Sequence, residues 1–346
     1  MKKNMTAGAA GWLYAYVHFA TEVACFYLLF SRVSTDADWW SYSILYNLFA
    51  FVPQLFFGII SDRYRGIPYG TVGCAMMLAA LLLPFSVPTL ILLCLGNCLT
   101  HIDGAQNTLR GAGGKITPNA VFVGGGAFGV ITGQLLGTLG IDGLITIPVL
   151  LLLLGAAASL AVHLCHKTDA LGIDAPFTAT NTKLPVGVFV LVLFMAVAAR
   201  SYITYAIPTD WKTTQFEAVL LFSLMGAGKM LGGVLADKIG FGRAALVGLG
   251  LAFPFLATGN TVMALSLIGI TLFSTSMPIT SGILASRLGD RPGFAFGITT
   301  VALFVGVLPS AFVMPDTLTS QIITVAVLSA VALVSIIICL EKEKKK

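Results

Sequence analysis

Charged side chains are scarce in this sequence. Of its 346 residues, 20 are Lys or Arg and 15 are Asp or Glu, so charged residues make up 10% and hydrophobic residues 57%. Soluble domains carry about 25% charged residues, and the mean hydropathy of +0.92 is that of an apolar chain. The composition excludes a soluble enzyme, a nucleic-acid-binding domain and a receptor with a large ectodomain. It indicates a protein embedded in a lipid bilayer.

Motifs of catalysis, ATP binding and metal binding are missing too. The sequence has no Gly-x-x-x-x-Gly-Lys-Ser/Thr loop, no His-Glu-x-x-His, no Cys-x-x-Cys and no Gly-x-Ser-x-Gly, so enzymatic turnover and direct ATP coupling have no candidate residues. The four histidines stand at positions 18, 101, 163 and 166, which is not a metal-ligand pattern in one place. We therefore predict a non-enzyme without a metal or a cofactor.

Apolar runs make up nearly the whole chain. A helix needs about 20 apolar residues to cross the bilayer, and twelve such runs lie between the Gly, Pro and charged breakers. The predicted spans are 8–30, 39–60, 67–86, 88–110, 117–140, 142–164, 185–207, 213–235, 244–259, 261–287, 293–314 and 318–340. Almost nothing separates the third span from the fourth or the ninth from the tenth. The alternative is that the number of helices is miscounted at these two places. The predicted fold is an all-α membrane protein with twelve transmembrane helices.

Basic residues fall almost entirely on one side of these spans. The side of the termini carries Lys2, Lys3, Arg63, Arg65, Arg110, Lys115, Lys167, Lys183, Lys238, Arg243, Arg287, Arg291, Lys342, Lys344, Lys345 and Lys346. The other side carries Arg32 and Lys212. Because basic residues mark the cytoplasmic side, both termini are predicted to be cytoplasmic. The short loops and tails favour the inner membrane of a prokaryote.

The chain contains an internal repeat. Gly58–Arg63 (GIISDR) recurs as Gly233–Lys238 (GVLADK) at an offset of 175, and Arg110 and Arg287 are offset by 177. Two offsets near half the chain length predict duplicated halves. The predicted division is a first six-helix bundle, 1–164, a cytoplasmic linker, 165–184, and a second six-helix bundle, 185–346.

The repeated segment resembles a motif of the major facilitator superfamily. In that family the loop between helices two and three carries a Gly-x-Leu-Ala-Asp-Arg-x-Gly-Arg pattern, often echoed between helices eight and nine. The second copy here, Gly233–Gly240, follows the pattern with its arginine delayed to Arg243, whereas the first copy has Arg65 where the family usually has glycine. The resemblance implies two pseudo-symmetric six-helix bundles that transport a solute by alternating access.

The two acidic positions of the repeat are predicted to form a latch. A carboxylate at a helix end can accept charge-assisted hydrogen bonds from arginines and from a neighbouring helix N-terminus. We expect Asp62 with Arg63, and Asp237 with Lys238, to hold the cytoplasmic side closed. Glycine stripes, 125–137 at four-residue spacing in span five and 226–233 in span eight, predict close packing of these two spans across the halves.

Ionisable groups inside the spans are functional candidates, because they are unfavourable in the bilayer unless they face a cavity or a partner. Tyr14, His18 and Glu22 share one face of span one at i, i+4 and i+8. In span four, Asp103 shares a face with Asn107, whereas His101 lies on the opposite face. We favour Asp103 as the residue that points at a central site, and His101 as a packing residue.

The second half supplies cations. Arg200 lies in span seven with Thr204 one turn later, and Lys229 lies in span eight. The repeat offset puts Glu22 and Arg200 at similar depths, so these two are expected to pair across a cavity. Span ten adds a hydroxyl-rich segment, 274–281.

These residues suggest a proton-coupled secondary transporter for a small polar or anionic organic solute. Glu22, Asp103 and His18 are the predicted proton carriers, and the predicted solute contacts are Tyr14, Asn107, Arg200, Thr204 and Lys229. Sodium is the alternative coupling ion. The alternative functions are an exporter of amphipathic compounds and a non-transporting sensor or assembly factor. We expect a monomer in the bilayer with no nucleic-acid partner.

Overall fold

The computed structural model describes residues 5–34, 36–141, 143–166, 176–259 and 262–341. Within these ranges the chain forms twelve helices, eleven of them long and apolar enough to cross a membrane. In chain order, α1 to α12 are Ala7–Val33, Trp39–Arg63, Tyr69–Leu82, Val87–Leu109, Thr117–Thr138, Thr146–Cys165, Val186–Ala206, Gln215–Ile239, Phe241–Thr258, Met263–Leu288, Pro292–Ala311 and Leu318–Cys339. The predicted all-α membrane fold is confirmed, and the closely spaced runs are separate helices.

Two of the observed helices end at other residues than the predicted spans. The third span was predicted to reach 86, but α3 stops at Leu82 because Leu83 adopts an extended conformation, as expected for the residue before Pro84. The eighth span was predicted to end at 235, but α8 continues to Ile239 and stops at Gly240, which has a positive φ of 86°. Glycine adopts that conformation without a steric penalty.

Two helices are interrupted in their middles by proline. Helix α2 has a turn at Val52 before Pro53, and α10 is interrupted at Thr275, three residues before Pro278. A proline removes one helical hydrogen bond and its ring clashes with the carbonyl four residues earlier. In α2 that carbonyl belongs to Phe49, and it accepts a hydrogen bond from the Cys98 thiol at 3.1 Å.

Buried apolar side chains form two clusters. One consists mainly of residues from α1 to α6, and the other mainly of residues from α7 to α12. Helices α1 to α6 contact helices α7 to α12 mainly where α5 packs on α8 and where α2 packs on α11. The division into 1–164, 165–184 and 185–346 stays a prediction, and residues 167–175 of the linker lie outside the described ranges.

The two described chain ends lie at the same face of the helix bundle. Met5 donates its backbone N–H to Cys165 at the end of α6, and Glu341 donates to Ala179 shortly before α7 begins. We call this face the terminal face. Its assignment as cytoplasmic stays a prediction. Seven of the basic residues on which that prediction rests, Lys2, Lys3, Lys167, Lys342, Lys344, Lys345 and Lys346, lie outside the described ranges.

The glycine stripe of α5 faces a different helix from the one predicted. A Cβ atom at Gly125, Gly129 or Gly133 would collide with the backbone of α1, so the stripe serves packing within the first half. Contact with α8 instead uses Gly124, whose added Cβ would lie 2.8 Å from the carbonyl oxygen of Gly226. Successive helix positions are about 100° apart, so a shift of one residue selects another neighbour.

Candidate functional site

The acidic residue of the first repeat joins α2 to α11. Asp62 accepts backbone N–H bonds from Gly293 at 3.0 Å and from Phe294 at 2.8 Å, and it also accepts from the Gln106 amide at 2.9 Å. Gly293 and Phe294 lie at the N-terminus of α11, where helix N–H groups have no partner within the helix. The carboxylate therefore binds a helix of one half to a helix of the other.

Three further charged residues extend this contact. Asp290 accepts hydrogen bonds from Arg65 and Arg110, and Arg110 also donates to the Asp290 carbonyl at 3.0 Å. Burial opposes ionisation of the Asp290 carboxyl, but the hydrogen bonds from Arg110 and Arg65 outweigh it and hold the pKa of Asp290 below its ordinary value. Arg65, the residue that departs from the family pattern, thus has a partner in the other half.

The second repeat makes the corresponding contact with α5. Asp237 accepts the backbone N–H groups of Ile116 at 2.8 Å and Thr117 at 3.0 Å. The basic residues predicted for the two latches are placed differently: Arg63 lies over the ring of Tyr64 at 5.5 Å, and Lys238 is exposed at the end of α8. From the sequence, Arg65 and Arg110 were assigned to the side of the termini, and Arg110 also to the repeat, but neither was predicted to contact Asp290. The position of Arg65 three residues after Asp62 was the available signal.

Asp103 lies inside the first half. It accepts from the Tyr14 hydroxyl at 2.5 Å, the backbone N–H of Gly70 at 2.8 Å and the Ser159 hydroxyl at 3.2 Å. Asn107, on its own helix, donates to it at 3.1 Å. These partners belong to α1, α3, α4 and α6, so Asp103, Tyr14 and Asn107 hold four helices of the first half together. Asp103 therefore does not occupy the central position that the sequence favoured.

His101 occupies that position together with His18 and Glu22. The two Nε2 atoms are 2.9 Å apart, and each lies 3.6 Å from the Oε1 atom of Glu22. We call these three residues the His–Glu triad. All three are buried, and the amide of Asn97 donates to Glu22 at 3.2 Å. The sequence interpretation that the histidines are not in one place is wrong for His18 and His101, because α1 and α4 bring these distant positions together. The role of His101 as a packing residue stays a prediction.

A small cavity lies where α7, α10 and α11 face α5. Its lining includes Arg200 and the hydroxyl residues Ser281, Thr299 and Thr300. Arg200 is 6% exposed, and its Nε atom has no hydrogen-bond partner. Sequence reasoning found Arg200 and the hydroxyl-rich segment that contains Ser281, but not the threonines of α11, which lie in an otherwise apolar run.

The other predicted solute contacts are not part of this cavity. Thr204 is exposed, and its hydroxyl donates to the Arg200 carbonyl at 3.3 Å, whereas Lys229 lies half-buried on α8. The expected ion pair between Glu22 and Arg200 is not formed: among the described residues, the nitrogens of basic side chains within 4.0 Å of the Glu22 carboxylate are Nε2 of His18 and Nε2 of His101. One aromatic ring separates the two sites, since Phe296 lines the cavity and stacks on His101 at 6.4 Å.

This chain is similar to solved protein structures, although its sequence matches no family model and no curated protein. The Escherichia coli fucose:proton symporter FucP is 14% identical, with a TM-score of 0.60 over 96% of this chain and 98% of that chain. The human organic anion transporter MFSD10 (TETRAN) is 16% identical, with a TM-score of 0.62 over 95% and 97%.

A bacterial homologue of the iron transporter ferroportin, in an outward-facing state, is 14% identical, with a TM-score of 0.56 over 96% of this chain and 98% of that chain. A second structure of FucP, in the outward conformation, is that of a major facilitator superfamily transporter. Each of these structural similarities extends over nearly the whole length of both chains. The chain therefore has the fold of major facilitator superfamily transporters, as its repeated motif predicted.

Proposed function

We propose that this protein is a secondary active transporter that moves a small anionic organic solute across the membrane by alternating access. The supporting observation is the guanidinium of Arg200, which is buried at the cavity and has no hydrogen-bond or ion-pair partner among the described residues. A charge inside a membrane protein is unfavourable by several kcal/mol unless a partner compensates for it. An anionic solute would supply that partner.

The cavity is suited to a small oxyanion. Arg can bind a carboxylate or a phosphate with two parallel hydrogen bonds, and the hydroxyls of Ser281, Thr299 and Thr300 line the same space. These polar groups favour an anionic solute over the amphipathic compounds of a drug exporter.

The contacts between the halves support alternating access. Asp62 and Asp237 bind helix N-termini of the opposite half at the terminal face, which supports a latch that closes that side. Release of both contacts would let the halves rock and open the cavity to the terminal face. Two of the similar structures are outward-facing, which fits the same state if the terminal face is cytoplasmic.

We propose a proton as the coupling ion. FucP is a fucose:proton symporter and MFSD10 is an organic anion transporter, so both elements of the proposal occur among proteins of this fold. The predicted carriers Glu22, Asp103 and His18 all lie in the first half, across the bundle from Arg200. Location in a prokaryotic inner membrane and a monomeric state stay predictions.

Arg200→Gln should abolish transport of the anionic solute, because the amide cannot compensate a buried negative charge. Wild type, Arg200→Gln, Arg200→Lys and the control Arg32→Gln, which alters an exposed residue outside the cavity, are reconstituted in liposomes. Uptake of radiolabelled carboxylates, phosphate, amino acids, sugars and cationic compounds is measured together with internal pH.

The expected result is uptake of one anionic class with a parallel pH change, a loss of at least tenfold in Arg200→Gln, and unchanged uptake in Arg32→Gln. Unchanged anion uptake in Arg200→Gln, or transport of cationic compounds alone, contradicts the proposal. Anion transport without a pH change points to sodium or to facilitated diffusion. Saturable binding without flux favours a sensor.

A further inference from the structure

We propose that the His–Glu triad is a binding site for one divalent transition-metal ion of the zinc type. The site lies between α1 and α4 of the first half, and its ligands would be Nε2 of His18, Nε2 of His101 and Oε1 of Glu22. These atoms lie within 4.8 Å of one another. This inference does not depend on the proposed transport of an anionic solute.

The spacing of the donor atoms matches a metal of this kind. Zn²⁺ bonds to imidazole nitrogen and carboxylate oxygen are about 2.0–2.2 Å long, so tetrahedral ligands stand about 3.3–3.5 Å apart. The distances here are 2.9 Å between the two nitrogens and 3.6 Å from each nitrogen to the carboxylate. Side-chain movements of roughly half an ångström would place all three donors around one ion.

The hydrogen bonds of the two rings leave both Nε2 atoms ready to act as ligands. Nδ1 of His18 lies 2.9 Å from the carbonyl of Phe122, and Nδ1 of His101 lies 3.0 Å from the carbonyl of Asn97. A carbonyl only accepts, so each Nδ1 carries the ring proton, and each neutral ring then has a lone pair on Nε2. A backbone carbonyl that fixes the tautomer in this way is the usual outer partner of a metal-binding histidine.

Two nitrogen lone pairs that face each other at 2.9 Å repel each other unless a cation or a proton lies between them. A metal ion would remove this repulsion and bind the Glu22 carboxylate at the same time. A proton shared by the two rings would also remove it, and this is the competing explanation. The donor set favours zinc, iron or cobalt over magnesium or calcium, because imidazole nitrogen suits borderline metals and the hard cations prefer oxygen.

Two aromatic rings, an amide and a cation surround the triad. The rings of Phe122 and Phe296 lie 5.1 Å from His18 and 6.4 Å from His101, and the ammonium of Lys229 acts electrostatically on Glu22 and His101. The Asn97 amide donates to Glu22 and fixes its carboxylate. Since Phe296 belongs to α11 of the second half, movement of that half would open the site.

The test is a titration of metal-free protein in detergent with Co²⁺, whose tetrahedral complexes absorb in the visible range. We expect one equivalent to bind, Zn²⁺ to displace it, and Zn²⁺ to raise the unfolding temperature of the wild type. His101→Gln and Glu22→Gln should weaken binding at least tenfold. Asn97→Ala should weaken it about tenfold, as outer partners do. His163→Gln, a histidine outside the triad, is the matched control.

The wild-type measurements keep the test independent of whether a variant folds. A wild type that shows neither the Co²⁺ absorption nor the Zn²⁺ shift overturns the proposal and leaves a proton shared by the two rings. Binding that is equally strong in folded His101→Gln and Glu22→Gln overturns it as well, because the ion would then lie elsewhere. Neither result bears on the separate proposal that an anionic solute binds at Arg200.

Discussion

At the scale of single residues, two neighbouring polar positions of α4 have different surroundings. Asp103 accepts three hydrogen bonds from other helices of the first half, whereas His101 faces another histidine, a carboxylate and a ring of the second half. Two residues apart on a helix means nearly opposite faces. One therefore stabilises the bundle, and the other belongs to the candidate site.

Asp103→Asn should destabilise the folded protein. The new amide group would place its own N–H donors against the donors Tyr14 and Gly70, so buried groups would lose an acceptor, at a cost of about 1–3 kcal/mol. Thermal unfolding in detergent is the measurement, and Asp210→Asn, at an exposed position, is the control. An unchanged unfolding temperature would show that Asp103 is not a structural centre of the first half.

At the scale of elements, α5 is held differently on its two sides. Its strictly spaced glycines touch the backbone of α1, so these helices move together, whereas the contact with α8 crosses between the halves. Small residues let helix backbones approach closely in a membrane. The first contact therefore packs helices within one half, and the second is the contact that would change in the proposed alternating access.

Gly129→Ala should separate α1 from α5. The added methyl group would collide with the Phe19 carbonyl and lie 2.8 Å from Cβ of Glu22. The Phe19 carbonyl is part of the α1 backbone, so the collision can be relieved only by displacing that helix. We expect a lower unfolding temperature and weaker metal binding, since Glu22 and His18 lie on the displaced helix. Gly187→Ala, a helical position with open space around it, should leave stability equal or slightly higher. Equal stability of Gly129→Ala would contradict this packing.

At the scale of the whole molecule, charged contacts at the terminal face hold the two halves in one state. Asp62 and Asp237 each bind a helix N-terminus of the other half, and Arg65 and Arg110 bind Asp290 across the same boundary. Asp62 and Arg110 are buried in this contact, and Asp290 is more than half exposed.

Asp62→Asn should open the terminal face. Leu109, buried against residues of the second half, is replaced by cysteine in a Cys165→Ser background, and its rate of labelling by a water-soluble maleimide is followed. The rate should rise several-fold in Asp62→Asn, because the amide binds the N-terminus of α11 more weakly than a carboxylate does. Unchanged labelling would mean that Asp62 does not hold the closed state.

The Asp290 contact has a defined pH dependence. Since the pKa of this carboxyl is lowered in the folded protein, its stabilisation is complete above the ordinary value of about 3.9 and is lost as the pH falls through the lower folded value. Maleimide attacks the thiolate, so the labelling rate itself rises with pH, and the readout is the ratio of the Asp290→Asn rate to the wild-type rate. This ratio should lie above one and stay constant from pH 5.5 to 8. A ratio that falls toward one below pH 6 would disprove this.

Most of the fold follows from the sequence, and the site follows only in part. Twelve long apolar runs set the number and approximate bounds of the helices, because the bilayer fixes how long each must be. The angular position of a residue on its helix is also predictable, as Asp103 and His101 show. Which neighbouring helix fills that direction is decided by packing between distant segments, and this is why the triad and the α1 contact of the α5 glycines were missed.

Phe296 makes the two candidate positions share one wall. Its ring borders the Arg200 cavity on one side and His101 on the other, so displacement of the ring toward one space narrows that space and widens the other. A ligand that moved the ring at one position would therefore change the affinity of the other position, and equilibrium requires the same factor in the reverse direction. Two ligands that each moved the ring would be coupled through this one aromatic side chain.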